Sequence, residues 1–216
     1  MSHLHIPDGV LPVAFWAPAL ALALVLLAIS AWRTSRAGLA GHRRLALQGT
    51  LGAMMLAAMV LEVPLGPMEY HLTLAGPIGV LLGPGAAFQV VFVTSLMLAF
   101  AGHGGFTVVG LNALVLGAGA ALASPAFRLL ARRVSAPAAL ATATAIAQAA
   151  SGLLWLGVVG GALRLTSVSA ARLGLVAGLA FPVWLLGIVA ESAVALAAGR
   201  FIARVRPDLL PAPEHA

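Results

Sequence analysis

The sequence predicts an all-α integral membrane protein of about seven transmembrane helices, and three observations carry that prediction. The 216 residues are 62% hydrophobic and only 8% charged, with a mean hydropathy of +1.06, whereas soluble domains carry about 25% charged residues. Apolar stretches recur at lengths near the roughly 20 residues that a helix needs to cross a bilayer. The basic residues are all arginine and fall between those stretches, where positive charge marks the cytoplasmic side.

The apolar segments run over residues 13–32, 45–63, 72–84, 86–101, 106–127, 138–160 and 173–199. The first is too long for a signal-peptide core, has no basic region before it, and has Arg33 and Arg36 behind it. It therefore reads as a retained span with its amino end outside. The second follows Arg43 and Arg44. The third is short and carries Gly76, Pro77, Gly79, Gly83 and Pro84 in or beside it. It either crosses or re-enters, and re-entry is tolerated only where protein or water covers the backbone. The fifth and seventh hold small-residue runs, LVLGAGAALA (114–123) and LGLVAGLA (173–180), which let helices approach closely in lipid.

The arginines then set the topology. Arg33, Arg36, Arg43 and Arg44 form one cluster, Arg128, Arg132 and Arg133 a second, and Arg200, Arg204 and Arg206 a third. With all three inside, only Arg164 and Arg172 remain outside. The chain from Arg44 to Arg128 must then cross an even number of times, and it holds four segments. Seven spans follow, with the N-terminus outside and the C-terminus cytoplasmic. Residues 1–12 become an external segment, 13–206 a helical bundle, and 207–216 a flexible cytoplasmic tail in which His215 is solvent-exposed. The external side receives His3, His5, Asp8, Glu69, His71 and His103.

Composition excludes several chemistries. With no cysteine, disulfides and thiolate metal sites are ruled out, and any metal must be held by nitrogen and oxygen. The net charge of +6 lies at topological positions, which argues against a nucleic-acid partner. No G-x-x-x-x-G-K-[ST] loop occurs, so ATP hydrolysis is not expected on this chain.

The opening MSHLHIPDGVLP concentrates donors. One reading is a polar cap on the first span, with Pro7 and Gly9 making a turn. The other is a chelate: a free α-amine followed by a nearby histidine binds through amine, amide and imidazole nitrogens, a tetragonal set suited to Ni(II) or Cu(II). With Met1 kept, His3 is the third residue. With Met1 removed, Ser2 supplies the amine, His3 becomes the second residue, and a coordination position stays open. His71, in PMEYHLTLAGP, is the natural further donor, against a plain interfacial role. His103 lies in the glycine-rich stretch AGHGGFT, where it caps a turn or supports ligands from outside the coordination sphere. Glu62, Gln89, Asn112, Gln148 and Glu191 lie in or near spans, where an ionisable group usually faces the bundle interior. Glu191 is placed in the inner half of its span, far from the histidines, and is not expected to be a ligand.

The blocks HIPDGVLP (5–12), HLTLAGPIGVLLGPG (71–85) and AGHGGFTVVGLNALVLG (101–117) occur in an order that resembles the CbiM/NikM family. These are the cobalt- and nickel-binding membrane components of energy-coupling factor transporters. The resemblance covers nearly the whole chain except the tail. It implies a seven-helix protein whose N-terminal segment dips into the bundle and holds metal with a histidine from the second external region. By motif, His5 matches the N-terminal histidine, His71 the later one, Asp8 the acidic position, and His103 and Asn112 the third block, with Glu69 beside His71. MSHL precedes His5 here, where the family begins directly with Met-His. The ligand set is therefore drawn from Met1, Ser2, His3, His5 and His71, with the subset open.

The resemblance further implies uptake of Co(II) or Ni(II) as transported substrate, with no permanently bound cofactor. It implies a coupling subunit in the membrane, cytoplasmic ATPase subunits and a small accessory membrane subunit as partners, and a multi-pass location in a prokaryotic cytoplasmic membrane. The chain would not itself be an enzyme. A membrane metal sensor is one alternative. Another is an intramembrane serine protease built on AASG (149–152), although the only histidine after Ser151 is His215.

Overall fold

The computed structural model describes residues 8–9, 11–36, 39–65, 68–165 and 170–211. Seven helices appear in chain order: α1 (Val13–Ser35), α2 (Leu39–Val60), α3 (Ala75–Leu82), α4 (Pro84–Phe100), α5 (Val109–Leu130), α6 (Ala136–Leu165) and α7 (Ala170–Val205). A two-stranded antiparallel hairpin, β1 (Val63–Leu65) and β2 (Met68–Tyr70), joins α2 to the chain before α3, with Pro64 opposite Glu69. The all-α expectation holds, with this short hairpin as a local addition. Stretches of α1, α5, α6 and α7 are long and apolar enough to cross a membrane, while α2 and α4 contribute shorter apolar helices.

The segment expected over 72–84 is the exception, and the structure explains its shortness. Only eight residues are helical in α3, a rise of about 12 Å against a hydrocarbon core of about 30 Å. The chain before it, residues 71–74, is non-helical yet lies inside the bundle: Thr73 meets Gln148 on α6 and Glu191 on α7. A turn in which Gly83 takes φ 76° then separates α3 from α4.

Close helix contacts carry the packing, as the run 114–123 predicts. A Cβ on Gly79 would collide with the α5 backbone at Ala120, and one on Gly76 would lie 2.7 Å from Thr144 of α6. Gly117 accommodates the Phe88 ring, and Gly152 the Trp184 indole. One core cluster forms from α1 to α5 around Met55, Met59, Phe88, Val91 and Leu116, and a second around Val80, Phe127, Leu140 and Ala195.

Helix ends sort into two groups. Ser30 donates to the Gly85 carbonyl (2.7 Å), and Gln89 reaches Ser30 and Thr34 (2.8 and 3.2 Å), so the end of α1 meets the start of α4. Arg33, Arg128 and Pro207–Pro211 border one cavity of about 1300 Å³ at this end. At the opposite end Asp8 meets Phe106 and Thr107, and Glu62 meets His103. The tail expected from residue 207 begins as a 3-10 turn, Pro207–Leu209, and Leu210 packs against the second core cluster.

Candidate functional site

The N-terminal segment is fastened by one carboxylate. Asp8 accepts the backbone N–H of Phe106 (2.9 Å), the N–H of Thr107 (2.9 Å) and the Thr107 hydroxyl (2.5 Å). Its pKa is lowered, first by the Thr107 hydroxyl bond and then by the two amides, because all three donors favour the charged form. Gly105 makes the approach possible, since any Cβ there would overlap Asp8. Gly105 of AGHGGFT therefore has a steric task, while Gly102 and Gly104 serve the backbone, with φ of 82° and 89°.

His103 pins the same loop to the chain just after α2. Its Nε2 lies 3.2 Å from Glu62 Oε1 and its Nδ1 3.2 Å from the Ala101 carbonyl. Asp8, His103 and Glu62 thus gather at one end of the bundle. Asn112, four residues after Val108, is buried in the first turn of α5.

His71 is not a rim residue. It is 5% exposed and lies two residues before Thr73, a separation of at most about 7 Å along the chain. Thr73 sits at a buried junction. Its N–H donates to Glu191 Oε1 (2.5 Å) and its hydroxyl to the same oxygen (2.7 Å), while the Leu74 N–H donates to Oε2 (3.1 Å). Gln148 Nε2 donates to the Thr73 hydroxyl oxygen (2.8 Å). Glu191 is 1% exposed and Gln148 4%. Leu74 is left-handed (φ 55°, ψ 14°), a conformation costing about 1–2 kcal/mol for a residue with a Cβ. It persists because the carboxylate and the start of α3 fix both sides of it. Upstream, the Tyr70 hydroxyl donates to the Gly187 carbonyl of α7 (3.3 Å), and the missing Cβ of Gly187 admits the ring.

Placing Glu191 far from the histidines is therefore wrong. Chain distance from Arg200 gives its depth on α7, but the non-helical stretch 71–74 lies inside the bundle and meets it. The signal available in the sequence is an ionisable residue within an apolar span, which needs a partner; which partner depends on tertiary structure.

Glu69 has its backbone in β2. Met1, Ser2, His3 and His5 lie outside the described residues, as does His215. Among the described residues, no group of three or more histidine, aspartate or glutamate side chains converges in a metal-holding geometry. Ser151 of the AASG stretch is 1% exposed and donates its hydroxyl to the Val115 carbonyl of α5 (3.0 Å); this is a helix-packing contact.

Comparison with known proteins follows the same lines. A family model described as the cobalt uptake substrate-specific transmembrane region matches residues 5–209. Among curated proteins, none matches the chain. A crystal structure of a truncated transition metal transporter superposes with a TM-score of 0.80 at 18% identity, covering 93% of this chain and 98% of that one. A second crystal structure of a transition metal transporter gives the same score and identity, covering 93% of each chain. At this identity the structural likeness speaks for the fold.

Proposed function

The chain belongs to the CbiM family of cobalt uptake transmembrane components, and from that membership we propose that it captures Co(II) or Ni(II) for an energy-coupling factor transporter. As a member of a transporter family with several apolar helices, it is a multi-pass membrane protein. The proposal adds orientation, ligands and partners. The N-terminus and the Asp8 end of the bundle face outward, and the arginine clusters face the cytoplasm of a prokaryotic cell.

The observation that carries this reading is the pairing of a tethered Asp8 with a buried histidine. Asp8 is held at the 106–107 loop, which leaves His5 a reach of about 10 Å and His3 about 17 Å beyond it. His71 waits inside the bundle. The imidazoles of His3, His5 and His71, with an amine from Met1 or Ser2, form a nitrogen-rich set suited to these ions. Asp8, His103 and Asn112 position the segment and its loop, and Glu69 stands next to the His71 stretch. Residues 1–12 form the capture segment, 13–206 the bundle, and the chain after 207 its cytoplasmic end. Energy comes from separate ATPase subunits, joined through a membrane coupling subunit and a small accessory subunit.

Metal uptake by vesicles tests the proposal. Vesicles holding this chain together with its coupling and ATPase subunits should accumulate radioactive nickel or cobalt on ATP addition, and vesicles lacking the ATPase subunits should not. Binding without accumulation in the complete assembly would instead fit a sensor.

A further inference from the structure

A carboxylate in the interior of a helical bundle needs a reason, and among the described residues no arginine pairs with Glu191. Among the described residues it accepts from the amides of Thr73 and Leu74 and from the Thr73 hydroxyl, and the Gln148 side-chain amide of α6 lies beside it. The Thr73 hydroxyl carries a single proton. Because its oxygen already accepts from Gln148 (2.8 Å) and from the Ala75 N–H (3.3 Å), that proton points at Glu191. The network therefore uses both oxygens of Glu191 as acceptors. It also satisfies the amides that the non-helical stretch would otherwise leave bare at membrane depth.

We propose that Glu191 is a positioning residue for metal capture, one that fixes residues 73–74 from α7 and so aims the buried His71 imidazole into the bundle. This rests on the reading of His71 as a metal ligand. Three features of the surroundings favour aim over mere stability. The clamp lies two residues from His71, and on the other side of His71 the Tyr70 hydroxyl is tied to Gly187, four residues before Glu191 on the same helix. Both flanks of the histidine are thus referred to one rigid element, α7. Leu74, directly after Thr73, is held left-handed with its N–H on Glu191, so the backbone direction here is imposed and not relaxed. Finally, α6 joins through Gln148, whose own carbonyl accepts the Trp184 indole N–H of α7 (3.1 Å).

The test is titration of the purified full chain with Ni(II) and with Co(II). Each titration reads affinity and the visible absorption of the bound ion, and thermal unfolding is followed without metal. Glu191→Gln keeps the side-chain shape but replaces one acceptor oxygen by a donor. It should bind about 10- to 100-fold more weakly, as removal of groups that orient metal ligands does. Its absorption should shift, because His71 presents a different ligand field, while the metal-free protein stays folded. Wild-type affinity and absorption in Glu191→Gln, alongside lost binding in His71→Ala, would overturn the positioning role and leave the ligand reading standing. Wild-type binding in His71→Ala would remove the ligand reading and this proposal with it. If Glu191→Gln does not fold, Thr73→Val and Thr73→Ser decide: weaker binding in the valine variant with recovery in the serine variant supports the proposal, and equal binding in the two overturns it.

Discussion

Replacing Asp8 by alanine should release the N-terminal segment without unfolding the bundle, and the size of the effect follows from its three bonds. Hydrogen bonds to a charged acceptor contribute about 1.5–3 kcal/mol each when shielded. Asp8 is exposed, so solvent screening reduces the whole clamp to about 1–2 kcal/mol. That corresponds to about a 5- to 30-fold change in the open fraction of the loop, since about 1.4 kcal/mol is tenfold. The reporters are built in, because the amides of Phe106 and Thr107 donate to this carboxylate. Hydrogen–deuterium exchange in detergent should therefore speed up about 5- to 30-fold at these two amides, with amides in the middle of α5 unchanged. The same bonds set a pH dependence. The folded-state pKa of Asp8 lies below the ordinary 3.8, so the clamp is fully present above 3.8 and is lost as pH falls through the lowered folded value. After correction for intrinsic exchange, protection at 106–107 should hold from neutral pH down to about 5 and fail only in stronger acid. Unchanged exchange in Asp8→Ala, or loss of protection near neutral pH, would refute the clamp.

Other consequences can be checked on the same preparation. Gly79→Val places side-chain carbons against the Ala120 backbone and should destabilise by about 3 kcal/mol or more, seen as a lower thermal midpoint or failure to purify. Ser151→Ala removes one buried helix–helix bond and should lower stability by about 0.5–1.5 kcal/mol while metal binding stays at the wild-type level; loss of binding would show that α6 packing has been misjudged. Because only neutral imidazole binds metal, affinity for Ni(II) should fall as pH drops through about 6.5, measured by titration at several pH values. A flat profile down to pH 5 would argue against histidine ligands.

The long apolar helices are legible because lipid imposes a simple demand, apolar runs long enough to cross it with arginine clusters at intervals between them. The third segment was readable as abnormal from its glycines and prolines, but its resolution was not. The half-length α3 works only because Glu191 and Gln148, distant in sequence, supply partners for an extended stretch, and no local pattern encodes that meeting. Asp8 and His103 were singled out from motif blocks, and the structure supplies what the motifs left unsaid: Asp8 is an acceptor for the 106–107 amides, and Gly105 is bare so that Asp8 can approach. His71 was placed at a boundary because it follows a loop, whereas the chain carries it inward before helix begins. The β-hairpin is not legible, because strands of three residues are too short to show an alternating pattern.

The most direct test of the central claim is nickel titration of purified wild type, His3→Ala, His5→Ala and His71→Ala, with mass spectrometry of the mature N-terminus to fix which amine is present. The account predicts that His71→Ala and at least one N-terminal variant lose tight binding while remaining folded. Binding as tight as wild type in all three variants would contradict it.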